Sequence, residues 1–516
     1  MSPNDEIADE TAPAPGSALY DAVALRAIEA RAAAELGEAY ALMQRAGAAA
    51  WSELLNRWTR AFRLLVVCGP GNNGGDGYVL ATLARQSGRD VAVLRLPEHA
   101  PRSALARRAA AEYAQAGGAA LEFDGALPAA DVVVDALFGI GLSRAPDAAS
   151  AALIAAINAH PAPVLALDAP SGVDADSGRA HAAAVNAQRT LEFIAPKAGL
   201  RSGAALDHTG ALALASLQLA PERYGIEAVA EALAADDLGR WLRPRRRDSH
   251  KGRNGRVLCV GGDHGHGGAL LLCAQAALRS GAGLLDAATR AAHVAPMLAR
   301  LPEAMPRAVD DSNALNGSAL NGAELDAALD AADAVAIGPG LGQQAWGRAL
   351  YARVLACAKP RLFDADALNL LAAQPQPLPA DCVLTPHPGE AARLLGCDTA
   401  HVQDDRFAAV SALAERYGCA VVLKGAGSLV AAPRRRTRVI GAGNPGMAVG
   451  GMGDVLSGVV AALLAQGLDG FDAASCGALL HAVAGDQAAR DGGERGLLPS
   501  DLMPWLRRCA NPRGAA

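Results

Sequence analysis

LLVVCGPGNNGGDG, residues 64–77, decides the fold. Its first half is a short apolar run, and its second is a glycine-rich turn leading into YVLATLARQSG, whose apolar spacing is helical. That order marks one strand–turn–helix unit of a parallel sheet. A glycine-rich turn in this position usually receives a phosphate, because backbone N–H groups can approach it closely. This turn has no Walker lysine and carries Asn72, Asn73 and Asp76 instead. Two carboxamides and a carboxylate raise the question of what besides phosphate is bound there.

The same alternation extends outward in both directions. Leu19 to about Trp58 has helical spacing, and after Gly77 the strand-like runs DVAVLRL, DVVVDALFGIG, PVLALDAPSG and TLEFIAPKAGL alternate with helices. Such alternation predicts a doubly wound α/β sheet, with ligands at the carboxyl ends of its strands. The segment EAVAEALAADDLGRWLRPRRRDSHKGRNG changes character, and then the alternation restarts with RVLCVGGDHG, GLLDAAT, AVAIGPGLG, PRLFDADALN, CVLTPHPGE, CAVVLKGAG and RVIGAGNPGMAVGGMGDVLSG. The two halves share no obvious repeat. The expected organisation is a disordered N-terminus (1–16), a first αβα domain (17–225), a linker with an entering helix (226–250) and a second αβα domain (251–516). Residues 303–331 read as an irregular exposed insertion.

Composition narrows the function. A length of 516 residues exceeds one ordinary core. The net charge of −6, with both signs interspersed, argues against a general nucleic-acid grip. The basic run Arg243–Arg247 reads as solvated linker. Nine cysteines without CxxC spacing read as reduced thiols, and not as a disulfide or zinc frame. No apolar run approaches the roughly 18–20 residues of a membrane span, and the acidic, proline-rich start is unlike a signal peptide. The expectation is a soluble cytoplasmic protein without nucleic-acid or membrane partners.

Strand ends of the first half gather Asn72, Asn73, Asp76, Asp135, Asp168, Ser171 and Lys197. These oxygens suit a hard or monovalent cation better than zinc, and Asp168 could be a general acid/base. Turn asparagines and aspartates also commonly cap their own backbone, and that reading stays open. GPGNNGGDGYVLA, DALFGIGL, LDAPSGVDADSG and FIAPKAGL, with LMQRAGAAA upstream, resemble the NAD(P)H-hydrate epimerase family over residues 17–220. The resemblance implies a Rossmann-like fold. It implies that Asn72, Asn73, Gly74, Gly75 and Asp76 hold the hydrated nucleotide together with the loop Gly139, Ile140, Gly141, Leu142, Ser143, Arg144 and Ala145. It places potassium on Asn73, Asp135 and Ser171, makes Asp168 the substrate-binding acid/base, and makes Lys197 its helper.

The second half carries GNPGMAVGGMGDVLSG, residues 443–458, a glycine-rich helix start that forms an anion hole with Asp454 inside it. LKGAGS adds Lys424 and Ser428, TPHPGE adds His387 and Glu390, and DADALN adds Asp364, Asp366 and Asn369. Together they point to phosphoryl transfer, although DADALN and His387 also read as an ordinary cap and a packed turn histidine. The set resembles the ADP-dependent NAD(P)H-hydrate dehydratase branch of the ribokinase superfamily over residues 236–508. That implies a ribokinase-like αβα fold. It implies nucleotide contacts from Lys424, Gly425, Ala426, Gly427, Ser428 and Gly453, hydrate contacts from Ala269, Gly342, His387 and Asp454, and Mg²⁺ near Glu390. Val449 and Met452 depart from the family, which commonly has hydroxyl residues there.

Jointly, the resemblances imply an isomerase and lyase that repairs NADHX and NADPHX, the hydrates of reduced nicotinamide nucleotides. The first half would exchange the R and S hydrates. The second would dehydrate the S form, with ADP or ATP and Mg²⁺ as phosphoryl donor, leaving AMP and phosphate when ADP is used. The resemblance also implies a homo-oligomer, from dimer through tetramer or larger. The alternative is a vitamin-precursor kinase of the ribokinase superfamily with a non-catalytic binding half.

Overall fold

The computed structural model describes residues 16–142, 144–309 and 319–512. Within them the chain separates into two compact units, Ser17–Ala230 and the chain from Glu231 onward. The first unit carries β1 (Ser17–Leu19), β2 (Arg63–Cys68), β3 (Asp90–Arg95), β4 (Ala120–Glu122), β5 (Val132–Ala136), β6 (Val164–Leu167), β7 (Arg189–Phe193) and β8 (Ala211–Ala215). Strands β2 to β8 form one sheet in the order β4-β3-β2-β5-β6-β7-β8. Every neighbouring pair is parallel. Alternation along β2 feeds two cores. Leu64, Val66 and Cys68 pack with α1 (Ala22–Leu36), α2 (Tyr40–Arg57) and α3 (Asn72–Gln86), whereas Leu65 and Val67 pack on the other face.

The second unit continues with β9 (Ala230–Leu233), β10 (Arg256–Val260), β11 (Leu284–Thr289), β12 (Met305–Ala308), β13 (Ala334–Ile337), β14 (Arg361–Phe363), β15 (Cys382–Leu384), β16 (Ala420–Leu423), β17 (Leu429–Ala431) and β18 (Thr437–Ile440). Their order is β9-β18-β17-β16-β15-β14-β13-β10-β11-β12. Pairs from β12 to β16 are parallel, and β16, β17 and β18 form an antiparallel meander. In each sheet the strand order runs both ways from one strand, reversing between β2 and β5 and between β10 and β13. Loops part at such a reversal and leave a crevice at the carboxyl ends.

Several expectations need correction. Asn72–Asp76 is not a loop but the first turns of α3, six residues earlier than the sequence suggests. Its glycines are there for packing. A Cβ on Gly74 would stand 2.0 Å from the Gly69 carbonyl, and one on Gly77 would stand 2.7 Å from the Ala136 Cβ. The 226–250 segment is more than a linker, since it contributes β9 and a 3-10 turn, Ala235–Arg240. Inside 303–331 lie β12 and the helix Ala319–Ala331. Residues 1–15, Ser143 and 310–318 are outside the described residues. The run Arg243–Arg247 is exposed, and all nine cysteines are free thiols. Among the described residues, no helix is long and apolar enough to cross a membrane.

Candidate active sites

At the first reversal lies a cavity of about 360 Å³. Asn72, Asn73 and Asp76 reach it from α3, Leu137 to Gly141 from the end of β5, Asp168 from β6, and Ile194 and Lys197 from β7. Leu142, Arg144 and Ala145 are not among its lining residues, nor are Gly74 and Gly75, which are buried. Asp168 and the β-branched Ile194 both have a φ of 68°. Such left-handed backbones cost on the order of 1–3 kcal/mol each and persist where the surroundings fix them.

Lys197 is fully buried, and its Nζ sits 2.6 Å from Asp168 Oδ1. It also donates to the Phe193 carbonyl at 2.9 Å. Asp168 further accepts from the N–H groups of Phe193 (3.3 Å) and Ile140 (3.4 Å). Behind the lysine stands a pair that the sequence reading missed. Glu192 accepts from the Lys197 N–H at 2.6 Å and from Arg201 at 2.6 and 3.0 Å, and Arg201 donates to the Lys197 carbonyl at 2.8 Å. Lys197 is therefore gripped by both backbone atoms as well as by its side chain. Arg26 and Glu29, on α1, also line the cavity and were likewise missed.

The capping reading fails for Asn72 and Asn73, because α3 is capped by Gly71 without any side-chain bond. Both polar atoms of the Asn73 side chain are buried without a hydrogen-bond partner. Asp135 is fully buried and accepts from Ser171 Oγ (2.6 Å), Ser171 N–H (2.8 Å) and Leu137 N–H (3.1 Å). Burial still pushes its carboxyl up to about 6, against the pull of those bonds. The orphaned Asn73 carboxamide lines the cavity, whereas Asp135 and Ser171 do not; their oxygens are of the kind a monovalent cation takes. Asp76 is pushed well above the carboxylate range by burial and by Asp168 and Glu29.

The second crevice is built around Lys424, at the end of β16. Its Nζ lies 2.7 Å from Asp364 Oδ1 and 3.8 Å from Glu390 Oε2. Ser457 Oγ donates to Asp364 Oδ2 at 2.8 Å. Burial would raise the Asp364 carboxyl, but Lys424 and Ser457 hold it below its ordinary value. Burial likewise opposes the charge on Lys424, yet Asp364 and Glu390 carry its pKa upward. Asp364 is thus an ion-pair partner and not a cap. Asp366 ties down the neighbouring loop through the Gly342 N–H at 2.9 Å. Gly340, in that loop, faces Ala269, since a Cβ there would stand 3.4 Å from the alanine Cβ.

Asp454 stands in the first turn of the helix Met452–Ala465, whose N-cap Gly451 has a φ of 99° and no side-chain cap. Its carboxyl is pushed up to about 7 by burial and by Asp364, with Lys424 pulling the other way. On the neighbouring residue, a Cβ on Gly453 would stand 3.1 Å from Lys424 Nζ. Gly425 and Gly427, at φ 135° and 59°, shape the turn after Lys424, and Ser428 closes it on the Gly425 carbonyl at 2.9 Å. His387 is an N-cap, accepting from Gly389 and Glu390 N–H groups, and Glu390 returns the bond to the His387 N–H at 2.8 Å. Burial, Lys424 and Arg393 lower the histidine's pKa, which suits the neutral tautomer the cap requires. Among the described residues, no group of three acidic, histidine or cysteine side chains could hold a metal. The crevice therefore fits Mg²⁺ arriving on a nucleotide better than Mg²⁺ held by a protein cage. Of the two departures, Val449 is exposed in its turn and Met452 points into the core.

Two αβα units, each with a Lys–Asp pair at the carboxyl ends of its strands and a glycine-rich helix start, define a two-site nucleotide-handling enzyme. Residues 39–199 match the family described as YjeF-related protein N-terminus, and residues 257–508 match NAD(P)H-hydrate dehydratase. The bifunctional NAD(P)H-hydrate repair enzyme Nnr of Escherichia coli (strain K12) is 46% identical over 92% of this chain and 90% of its own length. The Coxiella burnetii enzyme of the same name is 44% identical over 96% and 99%. A solved ADP/ATP-dependent NAD(P)H-hydrate dehydratase from Bacillus subtilis, co-crystallised with ATP and Mg²⁺, is 28% identical with a TM-score of 0.48, covering 54% of this chain and 96% of that one. The chain belongs to the family of bifunctional NAD(P)H-hydrate repair enzymes. These full-length relatives do not favour the vitamin-precursor kinase.

Proposed function

We propose that the two crevices perform the family's two reactions with the residues placed in them. In the second unit, Asp454 takes the proton of the hydrate's C6 hydroxyl as that oxygen attacks the terminal phosphate of ADP, and the bond from that phosphorus to AMP breaks with AMP as the leaving group. The carboxyl of Asp454, titrating at about 7, is matched to that task near neutral pH. Hydroxide is a poor leaving group from C6 and phosphate a good one, so the ring nitrogen then expels phosphate and loss of a C5 proton restores the reduced ring. Lys424, the turn Gly425 to Ser428 and Gly453 hold the nucleotide phosphates, while Ala269, Gly342 and His387 border the hydrate. Mg²⁺, when it comes with the nucleotide, neutralises phosphate charge.

In the first unit, Asp168 moves the protons that let a bond to C6 break and re-form on the other face, which returns the R hydrate to the S form. Lys197 holds it in place. Asn73, Asp135 and Ser171 would hold potassium, which supplies a fixed positive charge. Asn72 and Asp76 contact the nucleotide beside the Gly139–Gly141 turn.

The observation that carries this reading is the placement of Asp454 in the first turn of a helix that starts on Gly451, with its carboxyl raised by burial and by Asp364, beside a lysine paired to Asp364. Its test is recovery of NADH from mixed R and S NADHX with ADP, Mg²⁺ and K⁺, followed by near-ultraviolet absorbance. Complete recovery that depends on nucleotide supports both assignments. Nucleotide-independent recovery contradicts the phosphoryl step.

A further inference from the structure

Resting on the epimerase reading above, we propose that Glu29 is a second catalytic group of the first unit. It would give a proton to the departing C6 hydroxyl on the ring face opposite the one Asp168 serves. One route that inverts C6 without a redox step has an oxygen leave one face and another arrive on the other. One carboxylate at the sheet edge serves one face only.

The fold supplies the other from a different element. Tyr20 forms a parallel bridge with Lys197, its N–H donating to the Pro196 carbonyl at 2.9 Å and its carbonyl accepting from Ala198 at 3.0 Å. α1 starts two residues later, so its position is tied to the lysine that holds Asp168. One turn along, Arg26 donates to the Ile140 carbonyl at 3.1 Å, fixing the helix to the turn after β5. Glu29, three residues further on the same face, therefore lines the cavity with Asp168. The charged groups around it there are Arg26, Asp76, Asp168 and Lys197.

Their partners divide the work. Asp168 faces three donors, Lys197 and two backbone N–H groups. Burial and the Asp168 charge raise the Glu29 carboxyl, with Arg26 opposing, so Glu29 can both hold and release a proton. Asp76 is raised well above its ordinary value by burial and by Asp168 and Glu29. Glu29 protonates the C6 hydroxyl, the C6–O bond breaks, and water leaves with that electron pair. The ring nitrogen's lone pair forms the N1=C6 iminium bond. A second water bonds to C6 from the other face, the π pair returns to nitrogen, and the water's extra proton passes to Asp168. Proton transfer from Asp168 to Glu29 through cavity water resets the pair.

The test measures R/S exchange of NADHX by chromatography on the full-length protein. Glu29→Gln should lower kcat for exchange by about 100-fold or more with little change in KM, and Glu29→Asp should recover part of it. The parent's exchange should fall as pH rises past the Glu29 titration, a limb that Glu29→Gln lacks. ADP-dependent dehydration of S-NADHX within about twofold of the parent would show that the chain is folded. Exchange by Glu29→Gln within about threefold of the parent, or a loss confined to KM, overturns the proposal. If Asp168→Asn also exchanges at the parent rate, the epimerase reading itself fails. If only Glu29→Gln does, that reading stands and the Glu29 proposal falls.

Discussion

Lys197 and Lys424 occupy equivalent places, each at a strand end with its ammonium on an aspartate, at 2.6 and 2.7 Å. The two pairs do different work. Lys197 binds the aspartate that faces the cavity, so on the proposed reading the pair itself would be the reactive element. Lys424 binds Asp364, a buried carboxylate that also accepts from Ser457, and leaves Asp454 alone in the crevice with a raised carboxyl. On the proposed reading, the same ion pair would steady a proton-exchanging aspartate in one unit and, in the other, would fix a cation for the phosphates while a separate aspartate takes the proton. Function follows from which carboxylate the lysine neutralises.

The sharpest way to break this comparison is to delete each reactive aspartate. Asp454→Ala should lower ADP-dependent dehydration by about 10²–10⁴-fold while sparing R/S exchange, read as NADH recovery against chromatographic exchange. Loss of both activities would contradict the separation. Next in size is Lys424→Met, which strands the buried Asp364 and should destabilise the second unit by about 3–5 kcal/mol in chemical denaturation. An unchanged midpoint would mean that the pair contributes nothing to the fold.

A pH profile sharpens the contrast further. Asp454 must be ionised to accept a proton, and its carboxyl titrates at about 7. The kcat/KM for dehydration should therefore fall as pH drops, by about tenfold between pH 8 and 6; a flat profile removes Asp454 as the base. A smaller effect, about tenfold on exchange with dehydration unchanged, is expected for Glu192→Gln, which loosens the grip on Lys197. The smallest effect comes from replacing potassium by a larger organic cation. A several-fold slower exchange supports the cation seat at Asn73, and an equal rate contradicts it.

The sequence was most readable where strands are buried on both faces. RLLVVC, DVVVDA and PVLAL are continuous apolar runs, and each is a central strand. The edge strand β4 is exposed throughout and the alanine-rich β8 is only half-buried, so neither shows a buried pattern. The start of α3 was hidden because Asn and Gly are poor helix formers. They are tolerated there because Gly74 and Gly77 let the helix lie against Gly69 and Ala136. Motif glycines marked the crevices, but they did not show that several pack protein against protein.

Site residues followed the same logic. Those in glycine-rich strand ends were legible, and the structure brings Asn73, Asp168 and Lys197 to one cavity. Glu29 and Glu192 were not, because Glu29 is one of two glutamates on an ordinary amphipathic helix and Glu192 is a single acid in a short strand. Only tertiary placement, against Asp168 in one case and against Lys197 in the other, distinguishes them from surface charges.

The most direct test of the central claim mixes two defective chains. Asp168→Asn alone should recover NADH from a mixed hydrate only to the S fraction on the enzymatic timescale, and Asp454→Asn alone should recover none. If each aspartate serves one independent reaction, equal amounts of the two together should recover all of it. A mixture that still stalls at the S fraction, with both chains folded, would contradict the account.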